Sequence, residues 1–398
     1  MKPNVDNALG RLRDYIESAD YAGYDPYDAL NSPLIRLLSC RSKWLRIAFT
    51  QFLRRCPINL RLYMGVKKGH NPKGIGLFLG GYTKLYGTYK QDEYLEKIQY
   101  LLELLDKLKS QGYSGNCWGY NFDWQSRTYL RPKGVPTIVN TAFIGHALLD
   151  CYECTGLQQA LDMAVPIKDF IINDLYRTKK GDTFCFSYTP VDTAVVHNAN
   201  MLGASILIRL LRYFEDSVSE NVALSSLAYS MDHQHEDGSW HYAATETQKW
   251  IDSFHTGFNL QALRYFLDEG FAQEYYKDFT RGVRYYAEHF FLTDGTPKYY
   301  HNCVYPLDIH ASAEAIHFFS GMGDKYQELT DRVLDWMIKN MFSPQGHFYF
   351  RKTRYFTNRI PYMRWSQAWV FHALNQYMYQ KDKQERRAIE LQVAELHC

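Results

Sequence analysis

Apolar residues recur along most of the chain with helical spacing, and the helices they predict are of two kinds. One kind is amphipathic: residues 92–111 carry apolar side chains at Tyr94, Ile98, Leu101 and Leu105, as expected for a helix with one buried face. The other kind is evenly apolar and rich in Gly and Ala, which is typical of a helix contacted on all sides. The two kinds alternate, and amphipathic helices are predicted at 92–111, 157–176, 217–234, 272–291 and 324–341.

The evenly apolar helices open alike, each after a tract rich in aromatic residues and Asp. Their shared first-turn positions are Asn140, Asn198, His255, His310 and Gln367. Successive positions are 58, 57, 55 and 57 residues apart, and a fainter sixth unit around Gly80 lies one period upstream. Such a period fits a helical hairpin with one long loop. Six such hairpins closing on themselves make an all-α (α/α)6 toroid, with short β-like aromatic loops at the mouth of a central funnel.

Length and composition favour one compact unit. The predicted toroid occupies residues 41–380, after an N-terminal helix and strap at 1–40 and before a tail or helix at 381–398. No stretch approaches the roughly 20 apolar residues needed to span a bilayer, and the N-terminal segment lacks the apolar core of a secretory signal. Eight scattered cysteines then indicate free thiols. These features predict a cytoplasmic protein.

Aromatic residues make up 16% of the chain, and many stand in the tracts that precede the inner helices. Sugars stack their C–H faces on Trp and Tyr, and their hydroxyls pair with planar Asp, Asn and Arg side chains. Because these tracts converge in a toroid, the sequence predicts an oligo- or polysaccharide site in the funnel. The candidate substrate-binding residues are Trp118, Tyr120, Asp123, Trp124, Asn140, Tyr188, His197, Asn198, Trp240, Trp250, Tyr305, Tyr362, Arg364, Trp365 and Gln367.

The candidate catalytic residues are the acids and imidazoles at the helix openings, namely Asp252, His255, Asp308, His310 and Asp192. Two carboxylates facing each other can cleave a glycosidic bond. Two imidazoles can instead remove and return a proton on a sugar carbon, as an epimerase or isomerase requires. A Tyr or His base can also drive β-elimination from a uronate. Cleavage by a hydrolase or lyase is the leading prediction and epimerisation the second. The sequence leaves these reactions open, because the distances between the candidate side chains cannot be read from it.

Structural interpretations compete with these roles. Asp or Asn at a helix start is a common N-cap, and His146, His317 and His372 lie deeper in their helices, where core positions are expected. Cys151 and Cys154 have no partner pair for zinc, and no Gly-rich phosphate loop is found. No metal or cofactor is therefore expected. The pI near 8.0 gives no reason to expect nucleic acid.

The span from Ala29 to Gln91 contains twelve cations and no acid. Within it, residues 42–55 have the pattern of a basic amphipathic helix. One interpretation makes this the first outer helix of the toroid. The other makes 36–61 a contact surface for an anionic membrane or for a polyanionic glycan, since Lys and Arg on an amphipathic face attract both. The second interpretation extends the predicted location to the inner face of a membrane.

Several sequence segments resemble those of the six-hairpin toroid superfamily. This superfamily includes glycoside hydrolases, the N-acylglucosamine 2-epimerase group, uronate-acting lyases and hydrolases, and terpene cyclases with prenyltransferases. DGSW at 237–240 is similar to the repeat of triterpene cyclases, although their DxDD acid motif is absent. GYDPYDALNSP at 23–33, WIDSFHTGFNLQALR and RWSQAW resemble toroid proteins of bacterial and archaeal polysaccharide-biosynthesis loci. The resemblance implies a surface-glycan or lipid-linked-glycan context. It also leaves open a non-catalytic glycan- or lipid-carrier-binding partner of a membrane synthase, and an isoprenoid-processing toroid.

Overall fold

The computed structural model describes residues 5–126 and 130–396. Its helices are α1 (Val5–Ser18), α2 (Pro33–Leu38), α3 (Lys43–Arg55), α4 (Pro72–Tyr89), α5 (Asp92–Lys107), α6 (Ile138–Thr155), α7 (Gln158–Ala164), α8 (Ile167–Asp174), α9 (His197–Leu210), α10 (Ser217–Met231), α11 (Ser253–Asp268), α12 (Tyr276–His289), α13 (Ile309–Ser320), α14 (Gln327–Met341) and α15 (Trp369–Leu396).

These helices form a closed double ring. Within the described residues, six inner helices contact one another in the order α4, α6, α9, α11, α13 and α15, and α15 returns to α4. Outside them, α5, α7 with α8, α10, α12 and α14 each pack on the inner helix that precedes them, and α1 packs on α15. The molecule is therefore the predicted (α/α)6 toroid.

Burial follows the two helix types predicted from the pattern. In α5 the buried side chains include Tyr94, Ile98, Leu101 and Leu105, which lie on one face. The inner helices are largely buried because each contacts two neighbours and an outer helix; the exception is α15 beyond residue 380, where residues 381–390 are mostly exposed. Close approach depends on small residues: a Cβ at Gly76 in α4 would lie 2.7 Å from Ile144 Cγ1 in α6.

Short strands cross the mouth, where the aromatic tracts run. Strands β1 (Trp124–Gln125) and β2 (Leu130–Arg131) pair, as do β3 (Arg177–Lys180) and β4 (Thr183–Phe186). Strands β5 (Leu307–Asp308), β6 (Arg351–Lys352) and β7 (Thr357–Asn358) form an antiparallel sheet. Asp308 stands opposite Arg351 in that sheet, so it joins the loops of adjacent hairpins.

The basic amphipathic helix is not an outer helix of the ring, so the first interpretation of residues 42–55 is wrong. Helix α3 contacts α2, β1 and a 3-10 turn at Asp28–Asn31, at the mouth of the toroid. The outer position that the interpretation gave to α3 is taken by α1. We call residues 19–71, which run from α1 to α4 over the mouth, the cap segment.

The last inner helix begins irregularly. Residues Met363–Ala368 form a π-helical turn, in which the N–H of Gln367 donates to the carbonyl of Tyr362 at 3.2 Å. Such turns insert a residue into a helix and change which side chains face its neighbours. Helix α15 then continues to Leu396, so the predicted C-terminal helix is an extension of α15.

Candidate functional site

The first turns of α11 and α13 bring two Asp–His pairs to the mouth. In α11, Asp252 caps the helix by accepting the N–H of His255 at 3.1 Å. Its second oxygen lies 2.7 Å from His255 Nδ1 and accepts the indole N–H of Trp250 at 3.0 Å. Because Nδ1 is bound to a carboxylate, the neutral imidazole carries its proton there and leaves Nε2 as a base. The carboxylate of Asp252 is enclosed, whereas the His255 side chain is 22% exposed.

Asp308 is fully buried and more heavily bonded. One oxygen accepts the N–H of His310 at 3.0 Å and the indole N–H of Trp365 at 2.8 Å. The other oxygen accepts Nε of Arg351 at 2.8 Å and a further guanidinium N–H. Both oxygens are thus occupied by donors, and the carboxylate holds α13, the π-helical turn and β6 in register.

His310 is buried in a box of aromatic rings. Its imidazole stacks on Phe254, with centroids 4.5 Å apart, and meets Trp365 at 4.8 Å and Trp369 at 4.4 Å. Among the described residues, neither ring nitrogen has a hydrogen-bond partner. Burial lowers the pKa of His310 well below its ordinary value, and the nearby Lys73, Arg364 and His255 lower it further. The ring is therefore neutral at physiological pH.

The two imidazoles share neighbours. Phe254 contacts His255 at 4.3 Å as well as stacking on His310, and both imidazoles lie within 6 Å of the Phe258 ring. Two imidazoles, one bound to a carboxylate and one without a hydrogen-bond partner in the described residues, therefore flank a common pair of phenyl rings. This arrangement suits proton transfer.

Lys73, in the first turn of α4, is buried beside this pair. Its Nζ lies 4.0 Å from the ring centroid of Phe143, 5.3 Å from that of Phe258 and 5.2 Å from that of Trp369. Burial lowers the pKa of Lys73 well below its ordinary value, Arg364 adds to the decrease, and Glu314 opposes it. We call Lys73, Asp252, His255, Asp308, His310 and Trp365 together the mouth site.

A wall of aromatic rings stands next to the mouth site. Trp250 stacks on Tyr242 with centroids 4.6 Å apart, and Tyr242 also contacts His255. On the opposite strands, the guanidinium of Arg131 lies 4.7 Å from the ring of Tyr188 and 5.0 Å from that of Trp124. Flat aromatic rings can stack on the C–H faces of a sugar, and a guanidinium between them can donate hydrogen bonds to the sugar hydroxyls.

The cap segment closes this wall from above. Tyr27 places its ring 6.4 Å from Trp124 and 5.7 Å from Trp365, and the guanidinium of Arg54 lies over Tyr27. The segment is fixed by a buried ion pair, in which Arg364 donates to both oxygens of Asp25 at 2.6 and 2.9 Å. Arg364 also lies over the ring of Tyr120, so it links the cap to the first aromatic tract, residues 117–136, which precedes α6.

Several predicted binding residues lie in the ring, and we assign them structural roles. Trp118 and Trp240 donate their indole N–H to the outer-helix carbonyls of Leu105 and Ser230. Gln367 clamps the backbone of Phe348 through both ends of its amide. The remaining members of this group are Tyr362, buried under Arg61, and His197, packed on Ser230, Tyr229 and His233.

Other predicted residues lie at the rim or in the loops. Asp123 pairs with Arg36 of the cap segment at 3.0 Å, and Tyr305 is exposed on its loop. Asp192 accepts the N–H groups of Tyr188 and Ala194, which shapes the loop before α9. Arg127, in the first aromatic tract, lies outside the described residues.

Two buried amides remain open for a ligand. In the part of the chain that the structure describes, both amide atoms of Asn140 and the carbonyl oxygen of Asn198 have no hydrogen-bond partner. Both residues stand in the first turns of inner helices, α6 and α9. Buried polar groups normally find partners, so these amides are candidates for contact with a ligand or with water.

The predicted core histidines line a small cavity beneath Phe143 and Phe258. It measures about 30 Å³ and is bordered by His146, His317, His372 and Glu314, which is room for a water molecule. Burial raises the pKa of Glu314 well above its ordinary value. It lowers the pKa of His372 to about 4.

Sequence patterns do not single out Lys73, Tyr27, Arg131, Phe254 or Trp369. A signal exists for Lys73, since Asn71 and Pro72 form an N-cap and first helical residue. The repeat period nevertheless centres the sixth unit on Gly80, because the long connection between α5 and α6 stretches the period. Tyr27 carries no periodic signal at all, as it lies outside the repeats.

Solved structures share this fold at low sequence identity. A cellobiose 2-epimerase from Bacillus thermoamylovorans superposes with a TM-score of 0.62 and 14% identity, over 80% of this chain and 90% of that chain. A D-mannose isomerase gives 0.59 and 11% identity, over 79% and 87%. A GH76 α-mannanase from Bacteroides thetaiotaomicron gives 0.58 and 13% identity, over 80% and 87%.

At these identities the likeness establishes the fold alone, and the predicted (α/α)6 toroid fold is confirmed. No protein-family model matches the sequence, and no curated protein matches it significantly.

Proposed function

We propose that the protein binds a saccharide at the mouth site and catalyses proton transfer at a sugar carbon, as an epimerase or isomerase. The observation that carries this proposal is the pairing of His255 and His310 around Phe254 and Phe258. Each imidazole keeps at least one ring nitrogen available for a substrate, because His255 uses only Nδ1 to bind Asp252 and His310, in the described part of the chain, uses neither nitrogen. Each ring is also held in place by packing. The toroid neighbours named as an epimerase and an isomerase support the same reaction class.

In the proposed reaction, the open-chain sugar presents the carbon next to its carbonyl between the two rings. One imidazole removes the proton from that carbon, and the electron pair moves into an enediolate whose oxygen becomes negative. Lys73 donates an N–H to that oxygen. For epimerisation the other imidazole enters the cycle protonated, gives that proton to the opposite face of the same carbon and ends neutral, so the two rings exchange roles in each turnover. For isomerisation the imidazole that removed the proton returns it to the neighbouring carbon, and the hydroxyl proton of the deprotonated carbon moves to the former carbonyl oxygen.

Glycosidic cleavage, the leading prediction from sequence, is less well supported by the contacts. A hydrolase of the two-carboxylate type needs one carboxylic acid and one carboxylate available to the substrate. Both oxygens of Asp308 are occupied by donors, and Asp252 binds His255 and Trp250. We therefore assign Asp252 and Asp308 the role of positioning residues.

The test is hydrogen exchange in heavy water. The full chain is incubated with cellobiose, mannose or glucose in D2O, and proton NMR follows loss of the signal at the carbon beside the carbonyl. Exchange with appearance of the epimer or ketose is expected, with His255→Ala and His310→Ala inactive. New reducing ends from an oligosaccharide without exchange would establish cleavage and overturn the proposal.

We also propose a cytoplasmic location at the inner face of a membrane. In support, the seven described cysteines are free thiols, as expected in a reducing compartment. Across the described part of the chain, no helix combines the length and apolar character needed to cross a bilayer. Contact with a membrane would therefore be made at its surface.

A further inference from the structure

The cap segment exposes an unusual cluster of apolar side chains. Leu37 on α2, Trp44 on α3 and Tyr63 in the following turn are 74%, 65% and 82% exposed. Around them lie further exposed side chains, namely Leu34, Leu38, Leu45, Phe52, Ile58 and Leu62. We call this set of nine the docking face. Single exposed apolar residues are ordinary, but a cluster on adjoining elements marks an interaction site.

This exposure is built into the fold. A small core of Ala29, Leu30, Ile35 and Leu53, separate from the core of the ring, holds α2, α3 and the following turn together. Because this small core already holds α3 in place, the other apolar side chains of α3 are free to face solvent. Leu45 and Phe52, which helical spacing assigns to the buried stripe, face solvent instead.

Cations border the docking face without acids among them. Arg36 pairs with Asp123 from the loop before α6, and Arg61 is buried inside the cap segment, where it pairs with Asp28. Arg41 and Arg55, together with Lys67 and Lys68, are exposed to solvent, and the whole span from 30 to 90 contains no Asp or Glu. Its charge is thus complementary to an anionic surface.

We propose that the docking face binds the surface of a bilayer containing anionic phospholipid. Trp, Phe and Leu on one side of an amphipathic helix insert at the headgroup level, and flanking Lys and Arg bind acidic headgroups. A protein partner is less well matched. Protein interfaces pair charges of both signs, whereas the charges bordering the docking face are positive only. The inference specifies the surface behind the proposed peripheral location, and it does not depend on the proposed sugar chemistry.

Docking in this way orients the site. Helix α3 contacts β1 at the mouth, and Arg54 on α3 lies over Tyr27, which covers Trp124 and Trp365. The docking face is therefore the outer surface of the segment that closes the mouth. A protein bound through it presents its site to the membrane side.

The test is sedimentation of the full chain with phosphatidylcholine vesicles, with and without phosphatidylglycerol. We expect binding to the anionic vesicles that weakens with added salt. Arg41→Glu with Arg55→Glu should weaken it at least about tenfold, since each cation near an anionic surface contributes roughly a fivefold increase in affinity. Leu37→Ser with Trp44→Ser should also reduce binding strongly.

Matched controls lie elsewhere on the surface. Tyr276→Ser removes an exposed aromatic side chain on α12, and Lys179→Glu with Lys180→Glu reverses two exposed cations on β3. These controls should bind as the unmodified chain does, and all variants should unfold at the same temperature. The inference is overturned if the unmodified chain fails to bind anionic vesicles, or if both docking-face double variants bind them as well as the unmodified chain does. Hydrogen exchange on soluble sugars should be the same in every variant, which separates this outcome from that of the proposed function.

Discussion

Asp308 and Trp365, from adjacent hairpins, are joined by a buried hydrogen bond of 2.8 Å between a carboxylate oxygen and the indole N–H. The same indole packs against His310 and Tyr27. One side-chain pair therefore connects the ring, the aromatic box around the imidazole and the cap segment. The position of His310 depends on this contact as much as on its own helix.

Removal of Asp308 should destabilise the protein strongly. Asp308→Ala leaves the guanidinium of Arg351 without its carboxylate in a buried place, and breaking a buried pair costs about 3–5 kcal/mol. Urea unfolding measures the loss. The control is Asp123→Ala, whose partner Arg36 is exposed, and which should cost about 1 kcal/mol or less. Equal losses in the two variants would contradict the assignment of Asp308 as an anchor.

Asp252→Asn should impair turnover more than folding. An amide at this position can present its N–H₂ to Nδ1 of His255, which selects the tautomer with the proton on Nε2 and removes the base. By comparison with Asp–His pairs that fix a tautomer, the exchange rate should fall roughly a hundredfold or more. Proton NMR exchange in D2O gives the rate. Asp268→Asn, at the far end of the same helix, should leave the rate unchanged; loss of rate in both variants would point to a general effect on α11.

Lys73→Met should lower activity while raising stability. Burial disfavours the charged amine and lowers its pKa, so an apolar side chain of similar size should be more stable there. The matched control is Lys84, deeper in the same helix, which pairs with Asp150 at 3.0 Å. Lys84→Met should lower the free energy of unfolding because it removes one of the two buried cations, Lys84 and Arg209, that balance Asp150. Opposite signs in urea unfolding are expected, and a stability loss in Lys73→Met would refute a purely functional reason for that lysine.

The buried histidines should make stability sensitive to acid. His372 has its pKa lowered to about 4 by burial, against about 6.5 in the unfolded chain. Between these values the unfolded chain binds one more proton, so the contribution of His372 is complete above pH 6.5 and is lost as pH falls toward 4. His372→Asn should reduce the slope of unfolding free energy against pH by about 1.4 kcal/mol per unit in that window. His70→Asn, on the cap segment, serves as the control; an unchanged slope for His372→Asn would show that this ring is already protonated in the fold.

The repeat makes the fold predictable because the same helix opening occurs five times. The spacing of Asn140, Asn198, His255, His310 and Gln367 reports hairpin length directly. The site is predictable only in part. Asp252, His255, Asp308, His310 and Trp365 do meet at the mouth, but Trp118, Trp240 and Gln367 stand in equivalent tracts and turn into the ring.

The one-dimensional pattern determined the six inner segments, five of the outer segments, and that they close into a toroid. It could do so because the buried positions of a helix recur with the helical period, so the spacing of apolar residues along the sequence reveals them. It did not assign α1 as the outer helix that packs on α15. Tertiary structure decided which polar first-turn residues face the mouth, that Lys73 joins them, and that the cap segment covers them while exposing its own apolar face. Those outcomes depend on contacts between residues far apart in the chain, such as Asp25 with Arg364, and no local period encodes such a contact.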